Sequence, residues 1–343
     1  MAAPAPDAPD TSPTVWLTVA KAVGLLTVII SVLLTAFAWP AARSSVHGIP
    51  VAVAGTSAAV NQVTVALDQR LPGGFMITKV SDDAAAERLI HDRKVYGAID
   101  VSTGGPQVLI ASGGSPSVGQ TLQSLATALN QKQSNSSPIV VHDLAALPSD
   151  DPRGAGLAAA SLPLVLGGML AAVLLTRLVQ GRIRRTIGAF AYAVTGSLAM
   201  AAILQFWLGS LAGDYLANTG AIALTIAATS LTILGLESLY GLVGFSIGAV
   251  LMLLLGNPLS GTSTAPEMLP GWSGTLGQLL PPGAGMHLLR STAYFHGHGT
   301  DYSIIVLLAW LALGAVLSLI GHHRARRITS SASIRENASE QVG

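Results

Sequence analysis

"LPPGAGMHLLRSTAYF", residues 280–295, lies in a stretch almost free of charge, yet Pro281, Pro282 and Gly283 would break any simple membrane helix. Between Asn257 and Asp301 the only charged residues are Glu267 and Arg290, while five prolines and six glycines fall within 257–285, too many breakers for a spanning helix. A solvated loop so poor in charge is equally hard to account for. Non-helical backbone at membrane depth is tolerated only where protein or a water-filled cavity satisfies its polar groups. The pattern therefore predicts a re-entrant or interfacial segment over 257–301, with short helices near 268–280 and 283–295. Pro281 and Pro282 set the break, and Pro282-Gly283 opens the second helix. Trp272, Tyr294 and Phe295 fit an interfacial aromatic belt, and Arg290 reads first as a headgroup anchor and second as the lining of a pathway.

The rest of the chain fixes the setting. Of 343 residues, 50% are hydrophobic and 10% charged, far from the soluble average, so the chain reads as an α-helical polytopic membrane protein. About six runs are long enough for a hydrocarbon core of roughly 30 Å: 17–38, 157–178, 187–210, 218–236, 239–256 and 302–321. Ala36-Phe37-Ala38 resembles a cleavage site, but the acidic flank "MAAPAPDAPDTSPT" and the length of the run favour an uncleaved anchor. Arg177, Arg182, Arg184 and Arg185 crowd the link after the second run, and Arg324, Arg326 and Arg327 follow the sixth; the positive-inside rule puts both in the cytoplasm. The expected organisation is a cytoplasmic tail over 1–16, a first span over 17–39 and an extracytoplasmic domain over 40–156. Four spans over 157–256, the outer segment over 257–301, a sixth span over 302–321 and a cytoplasmic tail over 322–343 complete it. The location is the cell membrane with both termini inside.

Residues 40–156 alternate strand and helix signals. "IPVAVAG", "GFMITKV", "VYGAIDV", "QVLIAS" and "SPIVVHDL" read as strands; "AAVNQVTVALDQRL", "DDAAAERLIHDRK" and "SVGQTLQSLATALNQ" read as helices. That order makes a small α/β domain whose strand order is open. Asp82 and Asp83 read as an N-cap and a first-turn carboxylate. His47, His91 and His142 lack metal-ligand spacing and read as solvated or structural. Asn135-Ser136-Ser137 matches a glycosylation sequon, a triplet common by chance.

Function classes narrow by elimination. A net charge of +1 without a basic stripe gives no reason to expect nucleic-acid binding. With no cysteine, thiolate nucleophiles, disulfides and Cys-ligated metals are excluded. No phosphate-binding GxxxxGK[ST] loop is present, so any ATPase is another subunit, and no enzyme activity, cofactor or metal is expected of this chain. Lys21, Arg177 and Glu237 sit near inner span ends and Asp214 in a short outer link. Glu237 reads as an interfacial cap or an ion pair with an Arg, and alternatively, with Asp214, as part of a proton-coupled carrier. Gly241, Gly244 and Gly248, with a GxxxG at 244–248, support close helix packing in general. The arginine cluster reads as a topology and headgroup signal, or as a docking site for a partner. Abundant Ala, Gly and Arg suggest a GC-rich bacterial genome.

The run "GNPLSGTSTAPEMLPGW…LPPGAGMHLLRS" resembles the outer end of the fifth helix and the following re-entrant region of ABC-2-type membrane proteins, through Ser260, Gly261, Pro266, Leu269, Pro270, Pro281, Pro282 and Arg290. Within that superfamily the chain is most similar to the YhgE/Pip branch, to which "SDDAAAERLIHDRKVYGAIDV" adds a local likeness; the long coiled-coil extensions of some members are missing. The resemblance implies six helices per subunit, a homodimer or paired permease among membrane lipids, and a separate cytoplasmic ATP-binding subunit. Arg182, Arg184 and Arg185 would then contact the ATPase, and the motif from Ser260 through Gly283 to Arg290 would form an outer gate. The expected function is the permease half of an exporter of a lipid or drug. The alternative is a scaffold or receptor, as a secretion component or phage docking site, working through its outer domain.

Overall fold

The structure, a computed structural model, describes residues 16–102, 106–132 and 138–340. Asn135-Ser136-Ser137 and nearly all of the 1–16 tail lie outside the described residues. Helix α1 (Trp16–Ala42) leads into β1 (Ile49–Ala54), α2 (Ser57–Arg70), β2 (Phe75–Val80), α3 (Asp83–His91), β3 (Gly97–Asp100), β4 (Gln107–Ile110), α4 (Pro116–Lys132) and β5 (Val140–Asp143). The sheet runs β2-β1-β3-β4-β5, parallel except for the β3–β4 pair.

Local chemistry explains these elements. β1 is apolar along its length because it is central and covered on both faces, whereas edge strand β2 alternates partly buried and exposed residues. Asp82 caps α3 as expected, its Oδ1 accepting from Ala85 N at 2.8 Å, with Asp83 in the first turn. Thr56 caps α2 in the same way.

One face of the sheet carries its own core of Ile49, Val51, Val108, Ile110 and Leu122, joined by Ala265 and Met268 of the broken segment. On the other face Ala52, Ala86, Ile90, Ala98 and Leu109 belong to a core that continues into the helical body through Leu289, Tyr294 and Phe295. The α/β unit is thus fused to the helices by shared apolar burial.

The helical body comprises α5 (Ala155–Leu178), α6 (Arg182–Ala202, continued as a π-turn over Ile203–Trp207), α7 (Tyr215–Tyr240), α8 (Leu242–Val250, continued as a π-turn over Leu251–Gly256), α9 (Ser273–Gln278), α10 (Pro281–Tyr294) and α11 (Asp301–Glu340). Among the described residues five helices are long and apolar enough to cross a membrane: α1, α5, α6 through Trp207, α7 and the Asp301–Gly321 part of α11. These make the chain a polytopic helical membrane protein. The fifth expected span, 239–256, comes out shorter than expected: after Gly241 the apolar helix covers only Leu242–Gly256, about 22 Å at the α-helical rise, short of a full hydrocarbon core. The physical reason is that α7 runs on past "LES" to Tyr240, taking residues assigned to the next span, and Gly241 at φ 60° breaks the chain there.

Helix α7 is the axis of the body and is buried over most of its length, including Asn218, Thr225, Thr229, Ser230 and Thr232. Its hydroxyls satisfy neighbouring carbonyls: Ser230 Oγ donates to Gly168 O of α5 (3.0 Å), and Thr232 Oγ1 and Ser238 Oγ to Trp310 O and Leu317 O of α11 (3.2 Å each). Gly244 and Gly248, the GxxxG pair, are buried against Leu236 and Ile233 of α7, so the motif serves packing within the chain. Helices α7 and α11 cross closely, and a Cβ on Gly314 would fall 2.6 Å from Leu231 O. Gly314→Leu is therefore expected to destabilise by about 3 kcal/mol or more, lowering the thermal midpoint in detergent, while Gly220→Ala, with open space around it, leaves the midpoint unchanged.

Candidate functional site

Where the sheet domain meets the broken segment lies a cavity of about 320 Å³, lined among others by Arg93, Lys94, Tyr96, Glu267, His287 and Phe295. Its first wall is the end of α3. Arg93 follows the C-cap in a left-handed conformation (φ 58°); its N–H reaches Ile90 O and the Lys94 N–H reaches Leu89 O, a Schellman closure with arginine where glycine is usual. The strain, on the order of 1 kcal/mol, is offset by contacts across the junction. Arg93 Nη1 donates to His287 O and Ser291 Oγ of α10, each at 2.7 Å, and the guanidinium lies 4.9 Å from the Phe295 ring centroid. Burial lowers the Arg93 pKa to about 10, which leaves it charged at neutral pH.

The second wall is the broken segment. Tyr96 Oη donates to Glu267 Oε2 at 2.9 Å, and burial together with the Glu267 charge pushes the phenol far up, so it stays a donor. Helix α10 forms the third. His287 Nδ1 is 3.0 Å from Ser303 Oγ of α11; burial first, then the charges of Arg93 and Arg290, hold the imidazole well below its usual range and neutral.

Several expected site residues move. Arg290 is not at headgroups: it is buried (6% exposed), with Nη2 donating to Thr262 O and Nε without a partner among the described residues. Tyr294 and Phe295 are not in an aromatic belt; they are buried against Gly113 and Gly114 of the sheet domain, and Tyr294 Oη donates to Ser210 O at 2.6 Å. Trp272 alone of the three is exposed. The helix expected over 268–280 shrinks to α9, preceded by 3-10 turns at Pro258–Ser260 and Pro266–Met268, because Pro270 and Gly271 interrupt it. The second helix starts at Pro281, with Pro281 and Pro282 in the first turn where a missing N–H costs nothing. Ser260 and Gly261 turn the chain, Ser260 Oγ sharing a hydrogen bond with Thr262 Oγ1 and Ser260 O accepting from Gln278 Nε2 at 2.9 Å. Gly283 packs directly on the Gly277 carbonyl.

The expected inner-link residues gather at the far end of α7. Arg185 Nη1 is 3.5 Å from Glu237 Oε2, and its other donors reach Val179 O and Thr176 O. Arg182 Nη2 donates to Ser238 O at 3.2 Å, while Arg184 is exposed. Glu237 is thus ion-paired with an arginine, as its position suggested. Asp214, at the other end, caps α7 by accepting from Ala217 N at 2.7 Å, leaving it about 35 Å from Glu237 along the helix. The two carboxylates make no relay.

Sequence reasoning missed Arg93, Tyr96 and His287. The signal was available only in the pairing of an α3 end with α10, which are nearly 200 residues apart. Compared with protein-family models, with curated proteins and with solved structures, the chain gives no match to any.

Tyr96→Phe leaves Glu267 without its donor and is expected to destabilise by about 1–3 kcal/mol, read as a lower thermal midpoint. For His287 the folded pKa lies below the unfolded value of 6.5, so the ring is neutral in both states above pH 6.5. Below that the unfolded chain takes up a proton that the folded chain refuses, and stability falls with pH. His287→Gln is expected to flatten this acid limb of a stability–pH profile, and an unchanged slope between pH 5 and 6.5 would refute the assignment.

Proposed function

We propose that this chain is the membrane-spanning subunit of an exporter that moves a hydrophobic or amphipathic substrate, a lipid or drug, and is energised by a separate ATP-binding subunit. The observation that carries the reading is the Pro- and Gly-broken segment 257–280, folded between apolar spanning helices and the α/β domain in the order the ABC-2 resemblance implies. In this reading the short Leu242–Gly256 helix and the broken segment together return the chain to the outer side, so both termini and the 179–185 link face the cytoplasm and the sheet domain faces outward, and two copies pair. Arg184, exposed beside an arginine-buttressed turn, is the contact to the ATPase; Arg182 and Arg185 hold that turn against α7. Helix α1, with no buried residue in its apolar window, presents most of its surface to lipid or a second subunit.

A second reading, a scaffold or receptor acting through the outer domain, is favoured by one feature: a cavity lined by Arg93, Tyr96, Glu267 and His287 lies at the domain junction and not among the spans. Deleting the domain would not discriminate, because it would uncover the Tyr294–Phe295 face of α10. The discriminating measurement is affinity purification from native membranes in mild detergent. A near-stoichiometric partner with a phosphate-binding loop, whose substrate-stimulated ATPase falls at least fivefold with Arg184→Ala at unchanged thermal midpoint, is expected. Recovery of envelope or secretion proteins in place of any ATPase would replace the exporter with the scaffold.

A further inference from the structure

The junction cavity has an unbalanced charge. Arg93 and Glu267 line it, and the buried guanidinium of Arg290 lies behind the lining, close enough for its charge to act on Arg93, so two cations stand against one carboxylate, whose hydrogen bond within the described residues goes to Tyr96. Tyr96 and His287 are neutral, and Lys94 at the rim is paired with Asp92 at 3.2 Å. Arg93 spends Nη1 on α10, and its Nε and Nη2 make no hydrogen bond within the described residues, although the side chain lines the cavity. Arg290, one turn along α10 from His287, is more than nine-tenths buried and has an orphaned Nε. A buried cation without a counter-charge is costly, and an arginine fork with free donors is matched by the paired oxygens of an oxyanion.

From this arrangement we propose that the cavity between the sheet domain and the broken segment binds a phosphate ester, with Arg93 as the direct ligand and Arg290 as the charge behind it. The volume, about 320 Å³, exceeds the needs of a bare phosphate ion and suits a headgroup-sized ester. Phe295 and Pro266 supply apolar wall for its carbon skeleton, and Gln278 and Thr275 stand at the α9 side. A lipid headgroup and a free soluble ester share this chemistry. The site is independent of whether the chain exports or docks, since neither reading names a ligand for it.

The test uses full-length protein, purified in a neutral detergent and separately reconstituted in nanodiscs. Calorimetric titration with glycerol 3-phosphate and with inorganic phosphate is expected to show one site per chain, the ester binding more tightly. Arg93→Lys, which keeps a charge but loses the fork, should weaken binding at least tenfold. Because Arg93 also ties the domain to α10, Thr275→Trp serves as a second variant: it fills the exposed mouth without touching those hydrogen bonds and should abolish binding at unchanged thermal midpoint. If the soluble ester fails but phosphatidylglycerol nanodiscs raise the midpoint over phosphatidylcholine ones, and Thr275→Trp removes the difference, the ligand is a lipid headgroup. No binding in any arm, or binding indifferent to both variants, overturns the site.

Discussion

A buried peptide group must find a hydrogen-bond partner, and in the 257–280 segment, where helix is interrupted by proline and glycine, that requirement organises everything around it. Ser260 O is met by Gln278, Pro270 O by the Ser273 hydroxyl, and Thr262 O by Arg290. The arginine that looked out of place in an uncharged run is thus the donor that the broken backbone lacks. The glycines act with it, since Gly277 and Gly283 let successive turns lie against the carbonyls of Leu259 and Gly277 with no room for a side chain.

The same segment explains why the α/β unit does not behave as an appendage. Ala265 and Met268 join one face of the sheet's core, and Tyr294 and Phe295 join the other side through α10. The domain and the helices therefore share burial on two sides of the segment that separates them, and Arg93 adds a polar tie at the same place. Strain at Arg93 is tolerable because the contacts that depend on it span both units.

Legibility in the sequence followed the range of the interactions. Strand and helix signals in 49–143, the Asp82 cap and the Glu237 ion pair rest on local periodicity, local capping and proximity to an arginine cluster, and all were readable. The length of the fifth apolar helix was not, because hydropathy does not say on which side of Gly241 the residues of "LES" will wind. Tyr294 and Phe295 were misplaced for a different reason. A membrane interface and a domain junction both offer an apolar floor with polar groups at the edge, so composition alone does not tell them apart. Arg93, Tyr96 and His287 meet only in three dimensions.

Helix α1 touches the remainder of the described chain only near its end, where Pro40 is its one buried residue. Its 27 residues span about 40 Å, more than a hydrocarbon core of roughly 30 Å, and the stretch Trp16–Val32 is exposed throughout. A helix longer than the core it crosses accommodates by tilting, and tilts further in a thinner bilayer. Since the chain passes from α1 straight into the first strand of the sheet, a change in lipid acyl length is transmitted as leverage on the domain at its root.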